Sequence, residues 1–350
     1  MKKIKVVIVS ERRADYSRFK PIMSLMKSGN FFDYYLVVTG ISLLKSHGND
    51  IDIIKKDGFR IAKIIPMYKE NAPDTGAEMT RSYGRVMIGL SDFFEKIKPD
   101  LVLTGFDIGA NFAAAVIGAH MNIPVAHIQG GEITGSIDES LRHATTKFAH
   151  IHFPATKDAA SRLRRMGEDP KYIFTVGCPS IDTLIQAPIM SKKKVGDLTG
   201  LDTSKPYILI VQHPVTTEIQ KAGWQIKQTI QAVRDLKIQG VILYPNNDAG
   251  SQAIVRGIKN SSIKYFRSLA PESFINVLRY SSALVGNSSS GIHETATLKI
   301  PTVNIGTRQQ GRERPKSVID VGYDKEEIVN ALQKALFDKK YQESLKSLAN

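Results

Sequence analysis

The sequence predicts an α/β protein of two consecutive Rossmann-like, doubly wound domains. Three observations carry that expectation. Short apolar, β-branched runs recur along the 350 residues, amphipathic segments separate them, and the runs are continuous where a half-exposed strand would alternate. Continuous runs mark strands buried on both faces of a parallel sheet that helices cover. With 42% hydrophobic residues the chain can bury a large core, and its length suits two domains.

Taken in order, the expected strands of the first domain are KVVIVS, YYLVVTG, DLVLTG and IPVAHIQ; those of the second are YILIVQHP, GVILYPN, SALVGNS and PTVNIG. The first run is far shorter than a signal-peptide core and meets Glu11, Arg12 and Arg13, so it reads as a strand. Residues 110–128 lack Asp, Glu, Lys and Arg, but Asn111, His120, Asn122, Pro124 and His127 interrupt them. A helix followed by a buried strand is expected there, not a membrane span. Residues 186–205 are rich in Lys, Gly, Ser, Thr and Asp without a long apolar pattern. The expected organisation is a domain 1–185, a linker 186–205 and a domain 206–350. No solenoid repeat or low-complexity tract is visible, which argues against an extended scaffold.

The net charge of +14 would attract any polyanion, yet the basic residues are dispersed. The densest cluster, 192–194, has no interleaved aromatic residues, as a single-strand groove would need. Neither nucleic acid nor membrane is expected as a partner. The lone cysteine, Cys178, excludes an internal disulfide and fits a reducing, cytoplasmic setting. No HExxH or cysteine cluster accompanies the eight histidines, so no metal is expected.

In open parallel sheets ligands bind beyond the carboxyl ends of strands, and with two sheets the natural place is the cleft between the domains. After the first strand, S-E-R-R-A-D-Y-S sets Arg12, Arg13, Asp15 and Ser17 at the turn into a helix; without G-x-G-x-x-G, no dinucleotide cofactor is expected. Asp15 would serve equally as a helix cap. The densest constellation is H-I-Q-G-G-E-I-T-G-S-I-D-E-S-L-R-H, with Glu132, Asp138, Glu139, Arg142 and His143, and Asp107 follows the neighbouring strand. Paired carboxylates beside an anionic substrate can work as acid and base. Asp138 and Arg142 are spaced i,i+4, so an intrahelical ion pair is the plainer reading.

In the second domain His213 ends a strand and Pro214 stops it, which displays an imidazole able to meet phosphate or move protons. Asn246 and Asp248 follow the next strand, with turn formation as the alternative. S-A-L-V-G-N-S-S-S-G-I-H-E-T-A reads as an anion cradle: Gly286, Asn287, Ser288, Ser289 and Ser290 precede a helix expected to begin near Gly291. Ser and Asn are also ordinary caps, Glu294 would suit ribose hydroxyls or a capping role, and Arg308 would suit a phosphate or the surface.

RADYS, GGE…G-x-I-D-E-S-x-R-H, VGCPSID, QHPVTTE, PNNDAGS, GNSSSG-x-x-E and N-x-G-T-R-Q-x-G-R occur in this order along nearly the whole chain. In these motifs the sequence resembles the hydrolysing UDP-N-acetylglucosamine 2-epimerases. The resemblance implies a GT-B-like arrangement with an interdomain active site, no cofactor, a nucleotide-sugar substrate and a homodimer or homotetramer. It implies nucleotide and phosphate binding by Arg13, Ser17, His213, Asn246, Ser288, Ser289, Glu294 and Arg308, and catalytic carboxylates at Asp107 and Asp138. His213 and Arg142 are added, the first as a proton carrier and the second as a substrate contact. The implied reaction removes the C2 proton as UDP leaves C1, then adds water at C1 and a proton to the other face of C2. The product is N-acetylmannosamine, used for sialic-acid-type sugars.

Two departures stand out. Gln129 replaces a glutamate of H-I-E-G-G-E and cannot act as a carboxylate base; Glu132, or water held by Gln129, would take its place. G-F-D-I replaces G-D-R, keeping Asp107 without its basic neighbour. Another acetamido sugar, such as a diacetamido-bacillosamine nucleotide, or a guanosine carrier fits these changes. Family members usually continue past this point through a Tyr-Gly-Asp-Gly-type segment, so the domain 206–350 is expected to be cut short. A GT-B glycosyltransferase and a nucleotide-sugar-binding protein without turnover are the competing readings.

Overall fold

All eight apolar runs are strands in the computed structural model, which describes residues 2–347. Each run belongs to one of two parallel sheets. The first contains β1 (Ile4–Ser10), β2 (Phe32–Val38), β3 (Ile61–Ile64), β4 (Leu101–Gly105), β5 (Val125–Ile128) and β6 (Ile151–Phe153), in the spatial order β3-β2-β1-β4-β5-β6. The second contains β7 (Tyr207–Val211), β8 (Gln239–Leu243), β9 (Lys264–Phe266), β10 (Ala283–Gly286), β11 (Thr302–Ile305) and β12 (Val318–Val321), in the order β12-β11-β10-β7-β8-β9. Read from its other edge, the second sheet repeats the order of the first. Both are Rossmann-like and doubly wound, and each reverses direction beside its first strand.

The four strands without a matching run in the sequence, β3, β6, β9 and β12, are the four sheet edges. An edge strand is short and partly exposed, so it carries no continuous apolar run: β3 is IAKI, β9 KYF and β12 VIDV. Central strands are buried on both faces because successive side chains point to opposite sides. Val7 and Val9 of β1 join one core cluster, Val6 and Ile8 the other. Ile208 and Ile210 of β7 are separated in the same way from Tyr207 and Leu209.

The chain divides into two units. Unit 1 runs to Pro73 and includes Ala77–Ile133 and Ile137–Thr183; unit 2 holds Asp74–Gly76, Thr134–Ser136 and the chain from Leu184 onward. Much of the stretch 186–205, expected as a linker, is folded. Helix Lys192–Thr199 starts at Ser191, whose hydroxyl accepts the Lys194 N–H at 3.2 Å, and it buries Val195 beside Tyr207 and Leu209. The segment 110–128 is helix Gly109–His120 followed by β5. Among the described residues no helix is long and apolar enough to cross a membrane.

Candidate active site

In unit 1 the expected residues gather at the carboxyl ends of β1, β4 and β5. Helix Arg13–Ser28 begins directly after β1. Asp15, fully buried, accepts the N–H groups of Glu11 at 2.7 Å and Arg12 at 2.9 Å and so ties down the start of that helix. Burial pushes its carboxyl up to about 7, against the downward pull of those N–H bonds. Arg13, half-buried in the first turn, is destabilised as a cation by burial and supported by the charge of Asp50. Ser17 donates to the Ala14 carbonyl at 2.9 Å, one turn back on the same helix.

The residues following β4 and β5, Phe106 and Gln129, both adopt left-handed backbone, with φ of 69° and 58°. Such conformations cost a non-glycine residue on the order of 1–2 kcal/mol, and they turn both loops sharply off neighbouring strands. Asp107 follows the first turn and the Gly130-Gly131-Glu132 segment follows the second. Arg142, from helix Ile137–Phe148, joins them: its guanidinium donates to Asp107 Oδ2 at 2.5 Å and to the Glu132 carbonyl at 2.9 Å. Its side chain is 1% exposed, against 25% for Asp107. This ion pair spans 35 residues of chain, and the buried Arg142 acts on Asp107 and the loop. Asp138 stands half-buried in the first turn of the same helix.

Gln129 donates from Nε2 to Glu132 Oε1 at 2.9 Å, and both side chains are buried. Its own Oε1 is buried without a hydrogen-bond partner among the described residues. Behind the loop, His127 is fully buried; its Nε2 faces the Phe106 carbonyl at 3.4 Å and its Nδ1 the Thr146 hydroxyl at 3.2 Å. A carbonyl can only accept, so the proton belongs on Nε2. Burial, then the positive charge of His152, Arg142 and His143, holds this ring down to about 3. Arg162 supports the loop from further along the chain by donating to the Gly131 carbonyl at 2.6 Å.

In unit 2 the expected residues lie at the ends of β7, β8, β10 and β11. The backbone N–H of His213 donates to Asn287 Oδ1 at 2.7 Å, and Asn287 Nδ2 donates to the His213 carbonyl at 2.9 Å. The Asn246 N–H donates to His213 Nδ1 at 3.0 Å, so in the neutral ring Nε2 carries the proton. The Asn246 amide in turn bonds Asp248. From the loop after β11, Arg308 and Gln309 both donate to the Asn287 carbonyl, at 3.3 and 2.8 Å, and Arg312 holds Gln309 at 2.9 Å.

The segment after β10 differs from the expected helix beginning near Gly291. Residues Ser289–Gly291 form one 3-10 turn, and the helix, Glu294–Leu298, is only five residues long. Gly291 packs so closely on β11 that a Cβ would lie 2.6 Å from the Thr302 methyl, so only glycine fits there without a shift. A helix this short has a small dipole, and the loop before it offers backbone N–H groups, the Ser288 and Ser289 hydroxyls and, from the loop after β11, Arg308. Glu294 is 8% exposed, and its Oε2 has no hydrogen-bond partner among the described residues. A buried carboxylate oxygen without a donor suits hydroxyls brought by a ligand.

Asn287 was legible only as a member of the cradle and Gln309 only inside its motif, because their contacts across loops leave no local pattern. Arg162 gave none, lying about thirty positions from the loop it holds.

The sequence profile described as UDP-N-acetylglucosamine 2-epimerase matches residues 25–350. A Legionella pneumophila protein named UDP-N,N'-diacetylbacillosamine 2-epimerase (hydrolyzing) is 36% identical over 95% of this chain and 89% of its own. A Neisseria meningitidis UDP-N-acetylglucosamine 2-epimerase is 31% identical over 95% of this chain and 87% of its own. Among solved structures, a Neisseria meningitidis UDP-N-acetylglucosamine 2-epimerase bound to UDP-N-acetylglucosamine superposes with a TM-score of 0.80 at 19% identity, over 99% of this chain and 95% of that one. That last likeness is one of fold.

Proposed function

Because the chain belongs to the UDP-N-acetylglucosamine 2-epimerase family, we propose that it runs the hydrolysing form of the reaction. A nucleoside-diphosphate 2-acetamido sugar and water go to the nucleoside diphosphate and the free 2-epimeric sugar, N-acetylmannosamine or a 4-substituted analogue. The observation that carries this reading is the similarity, along nearly the full chain, to a relative named for the hydrolysing reaction. The same similarity favours an epimerase over a glycosyltransferase or a protein that only binds.

In this reading unit 2 holds the diphosphate. His213 Nε2–H, the Ser288 and Ser289 hydroxyls, Asn246 and Arg308 meet its oxygens, and Glu294 accepts from ribose hydroxyls. Charge grows on the diphosphate as the C1–O bond breaks, so donors fixed in advance act where the transition state needs them. Unit 1 works on the sugar. Glu132, its carboxylate steadied by Gln129, removes the C2 proton as the diphosphate departs, leaving a C1–C2 double bond. Water then adds its oxygen to C1, and a carboxyl group, Asp107 or Asp138, delivers a proton to the opposite face of C2. Arg142 serves by holding Asp107 and the loop in register. Arg13 and Ser17 are further substrate contacts in unit 1. Cytoplasmic residence fits a chain with one cysteine.

The test is product analysis in deuterated water with a panel comprising UDP-N-acetylglucosamine, UDP-N,N'-diacetylbacillosamine and its GDP form. The expected outcome is a free 2-epimeric sugar with one deuterium at C2, together with nucleoside diphosphate. A 2-epimer that keeps its nucleotide would replace the hydrolysing reading with the reversible one.

A further inference from the structure

We propose that Asn287 is the positioning residue of the diphosphate cradle, clasping His213 with its side chain and Arg308 with its carbonyl. The inference rests on the reading of unit 2 as the nucleotide-binding half. Asn287 is 1% exposed and follows β10 by one residue, while His213 follows β7 by two; the two strands are neighbours where the sheet reverses. Each of its hydrogen-bonding groups has a partner. The N–H donates to the Val211 carbonyl at 3.1 Å, the side-chain oxygen accepts the His213 N–H at 2.7 Å, the amide donates to the His213 carbonyl at 2.9 Å, and the backbone carbonyl receives Arg308 and Gln309. One residue thus fixes the spacing of the loops after β7, β10 and β11.

The chemistry of the clasp explains why an amide is required. Holding both the N–H and the C=O of one residue takes an acceptor and a donor side by side in one plane, which Asn supplies. Aspartate has the same shape but no donor. Its second oxygen would face the His213 carbonyl, and its charge would enter a site shaped for an anion. Alanine would release His213 and leave the contact to Arg308, which is made by the backbone. Once His213 is released, the Asn246 N–H no longer fixes the ring's tautomer, and Nε2 ceases to be an assured donor.

The experiment compares wild type, Asn287→Ala and Asn287→Asp, each first verified as folded by circular dichroism. UDP affinity is measured by calorimetry, and the His213 ring is followed by ¹⁵N NMR. The expected result is UDP binding about tenfold weaker for Asn287→Ala and weaker still for Asn287→Asp, with KM rising more than kcat falls. The His213 signals should move from the Nε2–H tautomer in wild type to a mixture in Asn287→Ala. A packing role alone predicts the reverse order, with the isosteric aspartate the milder change. That order, or affinities within twofold of wild type in both variants, overturns the proposal. If alanine prevents folding, the aspartate variant decides alone on the same twofold limit. Absence of UDP binding by the wild type would instead reject the nucleotide-binding reading, and the tautomer in the ligand-free protein would still decide whether Asn287 positions His213.

Discussion

At the scale of single residues, the proposed proton transfer in unit 1 falls to Glu132, three positions beyond Gln129. Gln129 cannot take a proton, but its amide lies 2.9 Å from Glu132 Oε1 and orients that carboxylate. Glu132→Gln is therefore expected to lower kcat by about 10²–10⁴-fold with KM changed only a few-fold, read from initial rates of free sugar release. A kcat within threefold of wild type would remove Glu132 from the proton-transfer step. Beneath it, His127 makes a prediction about stability. Its folded value of about 3 lies below the unfolded value of 6.5, so its contribution is present above pH 6.5 and is lost as pH falls toward 3. Each pH unit in that window is worth about 1.4 kcal/mol. Between pH 6.5 and 4.5 the wild type should lose about 2 kcal/mol more unfolding free energy than His127→Gln, because the unfolded ring is only half protonated at pH 6.5, measured by urea titration. Parallel pH profiles for the two proteins would show that His127 is not held neutral.

At the scale of elements, the decisive features are the turns that leave the strands. Phe106 and Gln129 adopt left-handed backbone immediately after β4 and β5, and Gly286 has φ of 130° at the end of β10. The glycine is required by space as well as conformation: a Cβ would lie 2.1 Å from the Val211 carbonyl oxygen on β7. Gly286→Ala should cost about 2–4 kcal/mol of stability, because the obstacle is backbone and the β7–β10 pairing must open to relieve it. A thermal midpoint unchanged within a degree would show that the strand end relaxes freely. The cradle's short helix, Glu294–Leu298, makes the same point from another side. Small residues after a strand signal a place where an anion can approach, but here they form a 3-10 turn, and Gly291 packs against Thr302 where a Cβ would not fit.

At the scale of the whole molecule, two Rossmann-like sheets were legible in the sequence because central strands are buried on both faces and must be continuously apolar, while their shared strand order is a finding of the structure. The edge strands β3, β6, β9 and β12 were not, since half-exposed segments of three or four residues carry no such pattern. The family was legible in its motifs, and the position of most candidate residues after strands followed from the same alternation. The sequence by itself thus determined the class of sheet, the approximate strand ends and the inventory of chemical groups, all of which depend on local composition and period. Tertiary structure alone decided which groups meet: Arg142 with Asp107 across 35 residues, Asn287 with His213 across 74, Gln129 with Glu132 in a loop forced into left-handed backbone. Those pairings depend on which strands become neighbours, and the energy that selects neighbours is stored in the packed core rather than in the loops that carry the chemistry.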